Sequence, residues 1–218
     1  MTKKYIPQGY EWWQKRPADD PHRDWKYDTE NWLSDYMASV QHPHREAIVK
    51  VLEDMEPYES ILEIGCNVGA NLAKTIGKRL SGIDANSHAI KYARSMLGTA
   101  DLRVGDFQKL PWEDKSHDIV LADAVLMYID PEHIDATIAE IDRVARFGIV
   151  LVERYHRLLK GGIRGYVWGR NYKIILEKKG YTVQTWRITK NLWPESENWQ
   201  KYGIVLSAVR SQIGEIRS

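Results

Sequence analysis

One stretch, Ser60-Ile-Leu-Glu-Ile-Gly-Cys-Asn-Val-Gly-Ala-Asn-Leu72, constrains this chain more than any other. It begins as a short apolar strand over Ile61 to Ile64. It then breaks at a turn carrying Gly65 and Gly69, and resumes at helical spacing with Leu72, Ala73 and Ile76. A buried strand that passes through a glycine turn into a helix is the form in which α/β folds hold nucleotides. Gly65 permits close approach of a ligand to the backbone, and Gly69 lets the helix start close against the strand. The turn reads Gly65-Cys-Asn-Val-Gly69. It therefore lacks the third glycine of the G-x-G-x-x-G turn, which aims a helix N-terminus at a pyrophosphate. Glu63, on the strand just ahead of the first glycine, would repel a pyrophosphate and suits a ligand that carries positive charge. The plain alternative is a tight strand-to-helix turn with no ligand.

At these residues the chain resembles the class I S-adenosyl-L-methionine (SAM)-dependent methyltransferases, whose first motif reads acidic-x-Gly-x-Gly-x-Gly. Asn67 stands where the middle glycine of that motif falls. SAM carries a sulfonium and an ammonium group, which the Glu63 carboxylate complements. The resemblance runs from about His42 to Val209. It implies an α/β fold, a doubly wound, seven-stranded, mostly parallel Rossmann-like sheet of order 3-2-1-4-5-7-6 with the last strand antiparallel and helices on both faces. It implies SAM as cofactor and S-adenosyl-L-homocysteine (SAH) as product. The cofactor contacts it implies are Glu63, Gly65, Asn67, Gly69, Asp84, Ala85, Asp106, Phe107 and Asp123. Three further stretches, His42-Pro-His-Arg45, Asp123-Ala-Val-Leu-Met-Tyr-Ile129 and Asn198-Trp-Gln-Lys-Tyr-Gly203, resemble small, poorly characterised members found with surface-polysaccharide or nucleotide-sugar genes.

The chain's 218 residues accommodate one domain with a small addition. Residues 1–42 differ in texture from the rest, with Trp12, Trp13, Trp25 and Trp32 set among prolines and charges. They read as an irregular arm with a short helix near Thr29 to Val40, either a lid over a ligand or a cover for the sheet edge. Residues 43–218 read as the methyltransferase domain. The formal net charge of +1 gives no reason to expect duplex nucleic acid as the main partner. The single cysteine, Cys66, excludes an intrachain disulfide and fits a reducing cytoplasm. Met1 to Tyr5 lacks an apolar signal core, and no run reaches membrane-spanning length, so no membrane association is expected. Oligomeric state is not legible.

Pro43 fits the first turn of a helix whose apolar face is Ala47, Ile48, Val51 and Leu52. His42, His44 and Arg45 sit at its start without a Cys or carboxylate partner at ligand spacing, so no metal site is expected. Arg45 reads as a solvated helix-end residue or as a clamp for a ligand carboxylate. Leu80 to Asp84 is a second strand ending in an acid placed to accept both ribose hydroxyls, a feature that SAM and NAD share. Asn86 can cap the helix that follows. Asp101 to Val104 is the third strand. In the resembled family, the acid and aromatic that follow such a strand, here Asp106 and Phe107, hold adenine. Asp118 to Ala122 is a continuous apolar run, as in a parallel strand buried on both faces. It leads into Asp123 to Asp130 at the carboxyl edge, where ligands of open α/β sheets bind. That segment lacks the Asn/Asp-Pro-Pro-Tyr/Phe signature of many base-methylating enzymes.

Pro131 opens a helix with Ile134, Ile138, Ile141 and Val144 on one face. Phe147 to Glu153 is the fifth strand, and its position puts Glu153, Tyr155 and His156 toward the acceptor. His156 is the natural general base on pKa grounds, with Glu153 and Tyr128 as further catalytic candidates. A glycine-rich loop, Gly161 to Gly169, and a helix from Asn171 to Lys179 follow. Tyr181 to Thr189 and Gly203 to Val209 close the sheet. Their exposed connection, with Trp193 and Trp199, reads as one wall of the acceptor pocket, or as aromatics packed under their own loop.

The expected activity is methyl transfer from SAM to an oxygen or nitrogen of a small polar acceptor, a sugar among them. Two other classes stay open: methylation of a macromolecule (protein or RNA), and non-catalytic binding of SAM or SAH. A dinucleotide oxidoreductase is disfavoured by Glu63 and the missing third glycine.

Overall fold

The computed structural model describes residues 10–21, 27, 29–75, 77–157, 161–164 (backbone) and 167–211. Seven strands form one sheet in the order β3-β2-β1-β4-β5-β9-β8. They are β1 (Ser60–Ile64), β2 (Arg79–Asp84), β3 (Asp101–Val104), β4 (His117–Asp123), β5 (Ala145–Arg154), β8 (Tyr181–Arg187) and β9 (Gly203–Arg210). The first five run parallel, and β9 lies antiparallel between β5 and β8. This is the expected topology, with β8 and β9 as the sixth and seventh strands of the main sheet.

The sequence dictates this arrangement simply. Residues 60–64 and 117–122 are buried at every position, as central parallel strands require. Among the described residues, seven α-helices accompany the sheet: α1 (Tyr10–Lys15), α2 (Trp32–Ala38), α3 (Pro43–Glu53), α4 (Ser87–Met96), α5 (Ile134–Val144), α6 (Tyr172–Glu177) and α7 (Glu197–Tyr202). Helix α5 buries the predicted face, Ile134, Ile138, Ile141 and Val144. Each of these side chains contributes about 1.5–3 kcal/mol by burial. Helix α3 starts at Pro43, with His42 as its cap.

Three expectations need correction. No α-helix follows Gly69: β1 crosses to β2 through a 3₁₀ turn, Leu72–Lys74. The Thr75 hydroxyl donates to the Leu72 carbonyl, and β2 begins at Arg79, so too little chain remains for helical turns. Ile76, placed on the expected helix, lies outside the described residues, as does Trp25 of the arm. The expected loop from Gly161 to Gly169 contains an antiparallel hairpin, β6 (Gly161–Arg164) with β7 (Val167–Gly169). The predicted helix near Thr29 is shorter: Asn31 caps α2 through the Leu33 and Ser34 N–H groups.

The connection between β8 and β9 is packed, not exposed. Trp193 and Trp199 are buried and stacked, with centroids 4.3 Å apart and rings 10° from parallel. Gly203 makes this possible, because a Cβ there would stand 2.5 Å from the Trp199 carbonyl oxygen and 2.7 Å from its ring. Gly203→Ala should therefore destabilise the protein by about 1–3 kcal/mol, read as a lower urea midpoint at unchanged m-value.

Candidate active site

The glycine turn holds three left-handed residues, Gly65 (φ 66°), Asn67 (φ 48°) and Gly69 (φ 81°). Asparagine is among the few non-glycine residues that adopt this conformation readily, which explains how Asn67 replaces a motif glycine. A Cβ on Gly65 would lie 2.2 Å from Val125 Cγ2, and one on Gly69 2.4 Å from Leu97 Cδ1. Gly65 thus lets the segment after β4 close on the turn, whereas Gly69 serves packing against the end of α4. The Asn67 N–H donates to Asp84 Oδ2 at 2.9 Å, and the Asn86 N–H donates to Asp84 Oδ1 at 2.8 Å. The Asp84 carboxylate is thereby fixed at the tip of β2. Burial pushes it up to about 6, against these N–H donors, which pull it down.

Beneath the turn lies a cavity of about 660 Å³. Glu63, Gly65, Asn67, Asp84, Ala85, Phe107, Asp123 and Tyr128, all predicted site residues, line it. Two carboxylates dominate its floor. Glu63 Oε1 accepts from Asn71 Nδ2 at 2.7 Å, while Oε2 is buried without a hydrogen-bond partner. Asp123 Oδ2 accepts from His44 Nε2 (3.0 Å), Arg45 Nη1 (3.1 Å) and Asn71 Nδ2 (3.0 Å); Oδ1 is buried without a partner. Burial pushes the Glu63 carboxyl up to about 8, with the Asn71 hydrogen bond pulling the other way. Burial works against ionisation at Asp123 too, yet His44 and Arg45 overcome it and hold that carboxyl at about 2.

Arg45 is neither solvated nor an open clamp. It is buried, its Nε and Nη2 donate to Ser39, and its Nη1 donates to Asn71 Oδ1 at 2.6 Å as well as to Asp123. His42 and His44 meet through their Nδ1 atoms, and His42 Nε2 lies 3.0 Å from Glu195. Among the described residues no cluster suited to a metal ion occurs.

The arm closes the opposite side. The Asn86 amide, besides capping α4, donates to the Trp13 and Arg16 carbonyls at 2.8 and 2.9 Å. The buried Arg16 guanidinium lies over the Trp12, Trp13 and Trp32 rings at 4.1–5.3 Å and bonds Asp20 at 2.9 Å. Trp13 reaches the cavity and packs near Tyr36 and Tyr128. Tyr10 meets the buried Phe107 edge-on at 5.9 Å. Asp106 is exposed and faces an adjoining cleft instead of the main cavity.

Of the three catalytic candidates, Tyr128 lines the cavity and the other two do not. Glu153 is fully buried, and its oxygens accept the N–H groups of Val125, Leu126 and Met127 at 2.6–3.0 Å. It anchors the segment after β4 and does not face a substrate. His156 points its backbone N–H at the Arg170 carbonyl and lies outside the cavity wall. Sequence reasoning missed Asn71, His44 and Arg154 as cavity residues. Arg154 adjoins the predicted Glu153, and strand alternation, which puts neighbouring side chains on opposite faces, is the signal that finds it.

The sheet order, the antiparallel β9 and the acid-lined cavity at the carboxyl edge define the class I methyltransferase fold. Residues 62–152 match the family model for methyltransferase domains. Among solved structures, the chain is similar to magnesium protoporphyrin IX methyltransferase from Synechocystis PCC 6803 with bound SAM. That likeness has 18% identity and a TM-score of 0.64, over 93% of this chain and 95% of that one. It is also similar to a SAM-dependent methyltransferase from Aquifex aeolicus, with 19% identity and a TM-score of 0.56 over 81% and 97% of the two chains. Among curated proteins, an uncharacterised protein of Haemophilus influenzae is 29% identical over 62% of this chain and 55% of its own length. A probable pectin methylesterase of Arabidopsis thaliana is 31% identical over 42% of this chain and 37% of its own length. The chain spans 30–55% of the length of the curated relatives it matches. The matched region is thus similar to methyltransferase domains, and the sheet it belongs to has the class I methyltransferase fold.

The cavity fits SAM. Two buried oxygens without partners, Glu63 Oε2 and Asp123 Oδ1, are completed by a cationic donor such as an ammonium group, which favours the ionised form of Glu63. One consequence concerns the empty protein. Because Glu63 is held above its unfolded value, its stabilising effect is present at low pH. That effect is lost as pH rises toward about 8. Wild-type stability should fall relative to Glu63→Gln by at least ~1 kcal/mol between pH 5 and 8, in urea unfolding at each pH.

Proposed function

We propose that the protein transfers the methyl group of SAM to an oxygen or nitrogen of a small polar acceptor, with sugars as the first class to test. One observation carries the reading: two unpartnered carboxylate oxygens, on Glu63 and Asp123, line the same cavity as the ribose-type acid Asp84. Bound SAM supplies an electrophilic methyl on a sulfonium. The chain's own residues bind and orient. Glu63 and Asp123 take the ammonium group, Asp84 accepts the ribose hydroxyls, and the Phe107–Tyr10 pair covers the adenine. Asp106, on the same segment, serves the exposed edge of that ring. Tyr128, at the junction of the cavity and the adjoining cleft, borders the acceptor.

The residues 1–42 arm acts as a lid over the 43–218 domain. Its Trp13 and Tyr10 exclude water, so that rate enhancement comes mainly from alignment and a dry site. Similarity to a protein named for pectin supports a carbohydrate acceptor. The near-zero net charge supports a small molecule over nucleic acid, and the lone Cys66 supports a reducing, cytoplasmic setting. Among the described residues, no helix is long and apolar enough to cross a membrane.

The reading is tested by incubating the protein with methyl-labelled SAM and a panel of neutral and acidic sugars. Label in a sugar product, with matching release of SAH, is the expected result; label confined to SAM across the panel would exclude sugars. Asp84→Ala should weaken SAM binding at least ~10-fold by equilibrium dialysis. Unchanged affinity would remove Asp84 from the ribose site. The ammonium favours ionised Glu63, so binding at neutral pH should release a proton from a carboxyl that otherwise sits at about 8. SAM affinity should accordingly rise with pH up to about 8. Calorimetry in buffers of different ionisation enthalpy reads this linkage. Proton uptake, or none, would contradict the Glu63 assignment.

A further inference from the structure

Arg154 is the last residue of β5, paired with Gly203 of β9, and it lines the main cavity. Strands in a sheet are ~4.8 Å apart, so β5 stands about 10 Å from β1 and about 14 Å from β2, which carry Glu63 and Asp84. Arg154 thus occupies the end of the cavity away from the ribose acid. Among the described residues, its side chain makes no ion pair and no hydrogen bond, and its Nε is buried without a partner. Burial pulls its pKa down, although an arginine stays protonated at neutral pH. The carboxylates on neighbouring segments bond other donors. Glu153 accepts three backbone N–H groups, Glu195 is bonded to His42, and Asp123 is held by His44, Arg45 and Asn71.

What Arg154 does touch is an aromatic platform. Its guanidinium lies 5.3 Å from the centroid of the Trp199 ring. Trp199 stacks on Trp193 at 4.3 Å, and Trp193 stacks on His44 at 4.3 Å. A guanidinium held this way has its planar fork already oriented, with little side-chain freedom left to lose on binding. A partly buried cation without a counter-ion is costly, and a carboxylate or phosphate on a ligand removes that cost through paired charge-assisted hydrogen bonds. Other described arginines show the contrast: Arg103, Arg143, Arg146 and Arg210 each have a carboxylate partner at 2.7–2.9 Å.

We propose that the methyl acceptor carries an anionic group, a carboxylate or a phosphate, which Arg154 binds against the Trp199 face. This inference rests on the methyl-transfer reading for the identity of the neighbouring cofactor, and it narrows the acceptor from polar to anionic.

The test begins with SAH titrated into wild-type protein, Arg154→Ala and Arg154→Gln. Matched probe pairs follow at saturating SAH: glucuronate against glucose, and phenyl phosphate against phenol. The expected result is that at least one anionic member binds about 10-fold or more tightly than its neutral partner. That preference disappears in both variants while SAH affinity stays within about twofold. The pair that responds distinguishes carboxylate from phosphate. Equal binding within both pairs, no binding of any probe, or a preference that survives in the variants would overturn the proposal. Loss of SAH affinity of about 10-fold in both variants would do so as well, by moving Arg154 to the cofactor's own carboxylate. If SAH fails to bind wild-type protein, the methyltransferase reading fails. The same probe pairs without SAH then still decide whether Arg154 holds an anion.

Discussion

The Asn71 amide, donating from one nitrogen to both Glu63 and Asp123, is the contact on which the site depends. Two carboxylates buried beside each other cannot both stay ionised without compensation. The protein resolves this by dividing them. His44 and Arg45, from the start of α3, keep Asp123 charged at about 2, while burial drives Glu63 up to about 8. The floor is therefore left with one negative charge and two unpartnered oxygens, a state that a cation completes. Asn71 precedes the 3₁₀ turn, and its side-chain oxygen, fixed by Arg45, leaves the amide nitrogen aimed at both acids.

From this centre the constraints pass outward in two directions. Toward β2, the left-handed Asn67 presents its N–H to Asp84, so the turn and the acid are set by one hydrogen bond. Toward β5 and β9, His44 carries the Trp193–Trp199 stack, and the stack carries Arg154. One residue, His44, thus touches both the acidic floor of the cavity and the platform proposed for the acceptor. The arm is tied to the same framework, because the side chain that caps α4, Asn86, also holds the Trp13 and Arg16 carbonyls.

Much of this was legible in the sequence, and the parts that were not have physical reasons. The central parallel strands β1 and β4, and most of β5, announce themselves as largely apolar runs, since burial on both faces leaves little room for polar residues. Asp84 is readable from its place at a strand tip, and Glu63 from being charged inside such a run. His44, Arg45 and Asn71 were not readable as one group, because their common partner Asp123 lies 79, 78 and 52 residues away. At the end of β5 the position was right and the parity wrong. Glu153 turns back to satisfy the N–H groups after β4, and its neighbour Arg154 faces the cavity. The β8–β9 connection, read as exposed because it joins the last two strands at the carboxyl edge, buries Trp193 and Trp199 by stacking them on each other and on a histidine from α3.

The most direct test of the whole account is calorimetric titration of the protein with SAM and, in parallel, with NAD. A cavity whose floor offers unpartnered carboxylate oxygens, with no glycine-led helix aimed at a pyrophosphate, should bind SAM at micromolar concentration and leave NAD unbound. Binding of NAD with no binding of SAM would contradict it, and would return Glu63, Asn71 and Asp123 to a purely structural role.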